Sequence, residues 1–281
     1  MKAQVFSDTK CTLGEGAFWH PERKQLFWFD ILGQRLLSRE GEAEHDWTFD
    51  DCVSAAGWVD HQTLVIASAR ALWRFDIDTG ARHKLIDLEA DNPRTRSNDG
   101  RADPQGGFWI GTMGYNAEAG AGAIYRYYKG ELRLLFPKIT ITNAICFAPD
   151  GRMAYFTDTV TGRIMRQRLD AEGWPKDAPE VFVDLTGEDF GPDGAVVDAQ
   201  GQVWNAQWGG SRVACYAPDG ALVDMMDLPT PQVSCPAFGG ADMTTLFATT
   251  AADGREDDPF SGMTFAAQTP YTGQAEHQIK L

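Results

Sequence analysis

Residues 189–210 read DFGPDGAVVDAQGQVWNAQWGG, and the rest of the chain repeats the pattern of this segment. A turn that ends in Asp193 and Gly194 precedes a short apolar strand at 195–197. A second turn at 198–201 leads into an alternating strand at 202–206, and two glycines follow soon after. Two short strands joined by a glycine-containing turn are typical of a β-hairpin. The stretch therefore predicts a hairpin with a carboxylate just ahead of its first strand.

The same unit recurs along the chain. Its other copies begin near residues 14, 54, 98, 143 and 235, and more strand-like sequence follows each of them. Starts that lie about 40 to 50 residues apart are typical of β-propeller blades. No segment has sustained helical periodicity, and Gly, Asp and Pro separate three to four short strands per unit. We predict an all-β fold, a six-bladed β-propeller, with residues 1–281 as a single domain.

Closing the propeller requires strands from both chain ends. A ring of stacked blades buries both faces of each small sheet and removes the exposed sheet edges. The first clear unit begins near residue 14, so we expect the strand at 4–6 to complete the last blade beside residues 278–281. Longer insertions at 89–97, 115–121 and 253–262 are predicted to be loops over one face.

Composition excludes several classes of partner. The 281-residue chain has a net charge of -15 and a pI near 4.7, so nucleic acid and anionic membrane surfaces are not expected partners. The sequence contains neither a signal peptide nor an apolar run of about 18 residues. Five scattered cysteines are expected to be buried thiols in a reducing compartment. We expect a cytoplasmic protein that is a monomer or a weak homo-oligomer.

The first strand of each blade lines the central channel of a propeller, so the residues just before these strands meet at one mouth. Four of the six aligned residues carry a carboxylate or a carboxamide, and two are small: Glu15, Ala55, Asn98, Asn143, Asp193 and Ser234. Oxygen donors that converge from separate blades indicate a site for a hard cation. No histidine falls in this ring, so a histidine-rich zinc site is not expected.

Ordinary turn chemistry is the alternative explanation for each of these residues. Asp and Asn before a strand are common turn residues, and any one of them alone favours that reading. Four in register favour a metal site formed by Glu15, Asn143 and Asp193. The remaining turn aspartates are expected to be structural. Four tryptophans are expected to pack within blades: Trp19, Trp109, Trp204 and Trp208.

Several motifs occur in an order that is specific as a set. They are LGEG at 13–16, RSNDG at 96–100, FWIGTM at 108–113, ITN at 141–143, and PDG at 192–194 with the tryptophans that follow. In these motifs the chain resembles the SMP-30/gluconolactonase/regucalcin family of sugar lactonases over essentially its whole length. The resemblance implies a six-bladed propeller with one divalent metal at the channel mouth.

The resemblance also implies roles for individual residues. Glu15, Asn143 and Asp193 match the metal ligands of the family, and Arg96 and Asn98 match its substrate-binding pair. Some relatives carry a substrate-contacting glutamate after the GTM motif, whereas Gly114, Tyr115 and Asn116 follow here. We expect Asn116 to take that place, so the polyol selectivity of those relatives does not transfer.

The predicted reaction is the hydrolysis of an aldonolactone to the free sugar acid. Asp193 is the predicted general base, and Asp99 is a second candidate. Oxygen ligands permit calcium, magnesium or manganese, and the site leaves zinc or iron(II) open. Two other hypotheses remain, a non-catalytic calcium-binding or regulatory propeller and an interaction scaffold. A lactonase predicts turnover that a chelator abolishes, whereas a regulatory propeller predicts tight calcium binding without turnover.

Overall fold

The computed structural model describes residues 1–281 as six four-stranded antiparallel sheets with one 3-10 turn. In five sheets the strands are consecutive in chain order, the sixth combines the first strand of the chain with its last three, and the six sheets account for all 24 strands. The predicted all-β six-bladed propeller is therefore confirmed.

The strand bounds, in chain order, follow blade by blade. The chain begins with β1 (Gln4–Ser7). Blade 1 contains β2 (Gly14–His20), β3 (Gln25–Asp30), β4 (Arg35–Glu40) and β5 (Ala43–Thr48). Blade 2 contains β6 (Val53–Asp60), β7 (Thr63–Ser68), β8 (Ala71–Asp76) and β9 (Arg82–Asp87). Blade 3 contains β10 (Thr95–Ala102), β11 (Phe108–Gly114), β12 (Gly122–Tyr128) and β13 (Glu131–Ile139). Blade 4 contains β14 (Thr142–Phe147), β15 (Met153–Asp158), the 3-10 turn Thr159–Thr161, β16 (Arg163–Arg168) and β17 (Glu180–Asp184). Blade 5 contains β18 (Gly191–Val197), β19 (Val203–Trp208), β20 (Arg212–Tyr216) and β21 (Leu222–Asp227). Blade 6 contains β22 (Val233–Gly239), β23 (Thr245–Thr250) and β24 (Thr264–Gln268), with β1 as its outer strand.

Burial falls from the channel axis to the outer strand of each blade. The first strands of neighbouring blades contact one another around the ring, and nearly all of their residues are buried. Outer strands such as β5 are mostly exposed. Apolar side chains of the inner strands pack between blades, and Trp28, Trp109 and Trp204 are fully buried there. Because apolar burial is the main stabilising contribution, the predicted site is carried by the strands that contribute most to stability.

The ring is closed by the N-terminal strand, as predicted, but its neighbour differs from the prediction. β1 pairs with β24, with Gln4 opposite Ala266 and Val5 opposite Phe265. The expected pairing with residues 278–281 is wrong. Those residues belong to a C-terminal segment, residues 270–281, that we call the strap. Ile279 donates its backbone N–H to the Trp58 carbonyl at 2.8 Å, and its side chain is buried in an apolar cluster of blades 2 and 3.

A β-bulge interrupts the first strand of every blade near the channel mouth. In β2 the register breaks between Glu15 and Phe18, in β14 between Asn143 and Cys146, and in β18 between Pro192 and Ala195. The strands β6, β10 and β22 break at corresponding places. Bulges redirect side chains, and they are enriched beside active sites. Here they occur where the ring residues leave the blade.

The bulges also correct the predicted alignment of the ring. Glu15 and Asn143 still pair with the second strand of their blades, opposite Phe29 and Thr157. Asn98 and Asp193 lie one position further along, among the unpaired residues of the bulge. The four side chains are therefore not in strict register. In blade 2 the bulged residue is Ser54 rather than Ala55.

The five cysteines are all buried and free, and no helix of the structure is long and apolar enough to cross a membrane.

Candidate active site at one mouth of the channel

A cleft of about 320 Å³ opens at the mouth where the first strands begin. All six residues that the sequence predicted for the metal and substrate sites line it: Glu15, Arg96, Asn98, Asn116, Asn143 and Asp193. The rest of the wall is largely apolar: Leu13, Leu32, Met113, Tyr115, Ala117, Ile141, Thr159, Trp208 and Asp253. The cleft therefore combines a polar floor from blades 1, 3, 4 and 5 with an apolar rim.

Glu15 and Asp193 form a pair of buried carboxyl groups that no salt bridge neutralises. They are 5% and 4% exposed, and the structure contains no salt bridge to either. Burial, and then the charge of Asp99, raises the pKa of Glu15 to about 8. Burial, and then the charge of Glu15, raises the pKa of Asp193 well above its usual range. Two such groups side by side are stabilised by a bound cation.

The amide side chains of the floor form a directed series of hydrogen bonds. Arg96 donates from Nη1 to Asn98 Oδ1 at 2.7 Å. Asn98 donates from Nδ2 to Asn143 Oδ1 at 3.2 Å, and also to the Thr142 carbonyl at 2.9 Å. Because a carbonyl oxygen has two lone pairs, Asn143 Oδ1 retains one for a further partner.

The donor set of the floor fits a hard divalent cation. Two carboxylates and one carboxamide oxygen, from Glu15, Asp193 and Asn143, are the oxygen ligands that calcium, magnesium and manganese prefer. The structure holds no cluster of three or more His, Cys, Asp or Glu side chains placed to bind a metal ion. The predicted ligand set therefore depends on the carboxamide of Asn143 as its third donor.

The two candidates for the general base occupy different positions. Both side chains are 4% exposed, but Asp193 lines the cleft and Asp99 does not. Asp99 Oδ2 accepts a hydrogen bond from the Ile145 backbone N–H at 2.7 Å, and burial raises the pKa of Asp99 to about 6. Of these two carboxyls, that of Asp193 is the one that borders the cleft.

The rim contains Asn116 in a folded loop after β11. Its backbone N–H and its Nδ2 donate to Glu118 Oε2 and Oε1, both at 3.1 Å. The amide oxygen of Asn116 is thereby left for other partners. Glu118 accepts both bonds and so holds the loop that carries Asn116 at the cleft.

Trp208 corrects one prediction. Trp109 and Trp204 pack inside blades, as expected, and Trp19 stacks on Phe247. Trp208 instead lines the cleft, because it ends β19 opposite Gly191 at the start of β18. The second strand of a blade runs antiparallel to the first, so its last residues reach the same mouth. That rule would have identified both Trp208 and Met113, which lies opposite Arg96.

Comparisons with known proteins agree with this fold. The L-arabinolactonase of Azospirillum brasilense is 36% identical, and the match covers 98% of this chain and 94% of that protein. Pentonolactonase XacC of Haloferax volcanii is 33% identical, with coverage of 87% and 83%. The crystal structure of the calcium-binding protein regucalcin from Agrobacterium tumefaciens superposes with a TM-score of 0.96 at 38% identity, with coverage of 100% and 99%.

A family profile gives the same assignment. The SMP-30/Gluconolactonase/LRE-like region matches residues 13–252, which span every predicted site residue from Glu15 to Asp193. The chain belongs to the SMP-30/gluconolactonase/LRE-like family.

Proposed function

We propose that this protein is a sugar lactonase, a carboxylic ester hydrolase that opens an aldonolactone to the free aldonic acid. One observation carries the proposal: the unpaired carboxyls of Glu15 and Asp193 share a cleft with the amide floor of Asn98 and Asn143. Relatives named as an arabinolactonase and a pentonolactonase support five-carbon sugar lactones as the substrate class.

Glu15, Asn143 and Asp193 would hold the divalent cation of the site. When bound, such a cation polarises the lactone carbonyl and stabilises the negative charge that develops on its oxygen. Arg96 and Asn98 lie beside these ligands and are joined to each other by a hydrogen bond at 2.7 Å. Their remaining hydrogen-bonding groups orient the ring and hydroxyl oxygens of the substrate.

Asp193 acts as the general base in this scheme. Its carboxylate takes a proton from the attacking water while the water oxygen bonds to the carbonyl carbon. The ring C–O bond then breaks, Asp193 returns its proton to the leaving alkoxide, and the new carboxyl group releases a proton to solvent, so the products are a carboxylate and a hydroxyl on one open chain. Asp99 is not placed for this role because its carboxylate faces the Ile145 amide outside the cleft.

The apolar rim supports binding of a compact sugar ring. Trp208, Met113 and Ile141 line the wall above the polar floor. An aromatic face packs well against the C–H groups of a sugar ring, while the floor satisfies the hydroxyls. A cleft of about 320 Å³ accommodates a single lactone ring and its substituents, not an oligosaccharide.

A calcium-binding regulatory propeller is the second candidate, and one observation favours it. The relative with the TM-score of 0.96 is described as the calcium-binding protein regucalcin. Both functions use the same cation site, so only turnover separates them.

The deciding experiment follows acid release from arabinono-, xylono-, glucono- and galactono-lactones. It compares chelator-treated protein with protein to which calcium, magnesium, manganese, zinc or iron(II) has been restored. Asp193→Asn removes the proposed base, and Asp99→Asn is the matched buried control outside the cleft. We expect cation-dependent turnover, with pentonolactones preferred, that is lost in Asp193→Asn and retained in Asp99→Asn. Calcium binding without turnover on any lactone would instead support the regulatory candidate.

Location and assembly remain proposals. We place the protein in the cytoplasm, as a monomer or weak homo-oligomer, and its five buried free cysteines support a reducing compartment. Sedimentation of the purified protein tests the assembly.

A further inference from the structure

Thr159 joins two of the proposed cation ligands without being one of them. It is the first residue of the 3-10 turn after β15. Its Oγ1 accepts a hydrogen bond from Asn143 Nδ2 at 2.9 Å and donates one to the Pro192 carbonyl at 2.9 Å. Asn143 belongs to blade 4, and Pro192 directly precedes Asp193 in blade 5. One hydroxyl therefore connects the two ligand-bearing strands.

These bonds complete the directed series that begins at Arg96. Arg96 donates to Asn98, Asn98 to Asn143, Asn143 to Thr159, and Thr159 to the Pro192 carbonyl. The guanidinium at the start can only donate, and the carbonyl at the end can only accept. The two ends therefore fix the direction of every group between them.

This direction determines which atom of Asn143 is available to a cation. The oxygen and the NH2 group of a carboxamide have nearly the same shape, but only the oxygen binds a metal ion. With Nδ2 bonded to Thr159, Oδ1 accepts one bond from Asn98 and keeps its second lone pair. A flipped amide would place N–H groups against Asn98 Nδ2 and would present no acceptor to the cation.

Thr159 is itself held firmly. Its backbone N–H donates to the Ile141 carbonyl at 3.0 Å, and its carbonyl accepts from the Gly162 N–H at 3.1 Å. Its methyl group packs against Gly191, where an added Cβ would approach Thr159 Cγ2 to 2.8 Å. The methyl contact and the two hydroxyl bonds together select a single rotamer of the side chain.

We propose that Thr159 is a positioning residue that fixes the Asn143 carboxamide with its oxygen available to the cation. The inference rests on the proposed function, because it assigns Asn143 as a ligand. Groups that orient ligands in this way typically change metal affinity about 10- to 100-fold when they are removed.

Two substitutions separate the hydroxyl from the shape of the side chain. Thr159→Val keeps the branched shape and removes both hydrogen bonds, whereas Thr159→Ser keeps the hydroxyl and removes the methyl. Thr161→Val is the matched control, because Thr161 is exposed on the same turn and its hydroxyl donates to the Asp158 carbonyl at 2.8 Å, away from the cleft.

The measurement is calorimetric titration of calcium into chelator-treated protein, with thermal unfolding of the same cation-free samples. We expect calcium affinity to fall about tenfold in Thr159→Val and to stay near the wild-type value in Thr159→Ser and Thr161→Val. Turnover of Thr159→Val should return at saturating calcium. Thermal unfolding shows whether each variant folds.

Several outcomes would overturn the inference. It fails if folded Thr159→Val binds calcium as tightly as wild type, or if Thr159→Ser loses as much affinity as Thr159→Val. The proposed function stands in both cases if wild type turns over a lactone. If Thr159→Val binds calcium more weakly than wild type, but the wild type hydrolyses no lactone, the inference is sustained and the proposed function is refuted. A wild type that binds no calcium, magnesium or manganese refutes the inference.

Discussion

The two mouths of the channel contain buried charge in opposite arrangements. At the cleft, the buried carboxyls of Glu15 and Asp193 form no salt bridge. At the other mouth, Glu276 of the strap forms a salt bridge with Arg101 of β10, and the two side chains are 9% and 8% exposed. The strap also satisfies backbone groups there, since Gln274 Nε2 donates to the Phe147 and Val197 carbonyls at 2.7 and 3.1 Å.

The difference shows which mouth requires a ligand. A buried charge is costly unless it is paired within the protein or by something that binds. Burial alone would lower the pKa of Arg101, but the charge of Glu276 raises it above its usual range, so this pair is complete without a ligand. At the cleft the one basic side chain, Arg96, makes no salt bridge to the two carboxyls and donates instead to Asn98 Oδ1 and the Ser97 carbonyl. The same ring of strands is therefore closed internally at one end and left to a cation at the other.

The largest expected effect comes from Glu15→Gln at the cleft. The substitution keeps the shape of the side chain and removes a proposed cation ligand, so lactone turnover should fall about 10³-fold. The cation-free protein should unfold at the same urea concentration as wild type or at a higher one, because one of two adjacent buried acids is gone. Acid release and urea denaturation measure the two effects. Clear destabilisation without loss of turnover would contradict the assignment of this mouth.

The same substitution at the other mouth should have the reverse result. Glu276→Gln leaves the charge of Arg101 buried without a partner, which typically costs about 3–5 kcal/mol in the free energy of unfolding. Turnover per folded molecule should be retained, because Arg101 and Glu276 do not line the cleft. Urea denaturation tests the first statement, and acid release below the unfolding transition tests the second. The double variant with Arg101→Met should recover part of the lost stability.

The sequence was sufficient to predict the fold and the central polar residues of the cleft. Repeated hairpin signals predicted six blades, and residues before the first strands, together with the family resemblance, predicted six of the polar residues that line the cleft, though not Thr159 or Asp253. These features depend on local turn chemistry and on spacing, which a single sequence displays. Closure by β1 was predictable for the same reason, since a strand lay before the first complete unit.

Features that depend on distant contacts were not predictable in this way. We predicted an edge strand where the strap lies. The packing of Ile279 against blades 2 and 3 is a contact between residues that are distant in sequence, so the local pattern does not indicate it. The bulges shift Asn98 and Asp193 by one position, and no residue type in the sequence reports such a shift. A tryptophan in a strand is usually a packing residue, and only the antiparallel course of β19 shows that Trp208 reaches the cleft.

His20, at the same mouth of the channel as the strap, should make the free energy of unfolding depend on pH. It ends β2, the strand that begins near Glu15, and burial lowers the pKa of His20 to about 4. Its Nδ1 accepts from the Arg23 N–H at 3.2 Å, and its Nε2 lies 3.1 Å from the Asp60 carbonyl. The neutral ring with its proton on Nε2 satisfies both partners, and a second proton would break the bond to Arg23.

The sign of the effect follows from the lowered pKa of His20. The unfolded chain, with an ordinary histidine pKa of about 6.5, takes up the proton first as the pH falls. The stabilising contribution is therefore complete above pH 6.5 and is lost between pH 6.5 and 4, in total about 3 kcal/mol. His20→Asn keeps an acceptor for Arg23 and does not titrate. The difference in unfolding free energy between wild type and variant should shrink over this range, and a constant difference would contradict the assignment.

Ala144 offers the smallest and most specific test at the cleft. It follows Asn143 in the bulge of β14 with a φ of 56°, and Gly16 follows Glu15 in β2 with a φ of 58°. Left-handed backbone costs an alanine about 1 kcal/mol, which glycine does not incur. Ala144→Gly also removes a buried methyl and increases the freedom of the unfolded chain, and each of these losses is about 0.8 kcal/mol.

These contributions nearly cancel, so Ala144→Gly should change the free energy of unfolding by less than about 1 kcal/mol. Calcium affinity should stay at the wild-type value, because Asn98 and Thr159 continue to hold the Asn143 amide from both sides. Urea denaturation and calcium calorimetry measure the two quantities. A loss of affinity at unchanged stability would mean that the backbone of the bulge, not the hydrogen bonds of the side chain, orients the ligand. The mouth that is left open for a cation would then be organised by strand geometry.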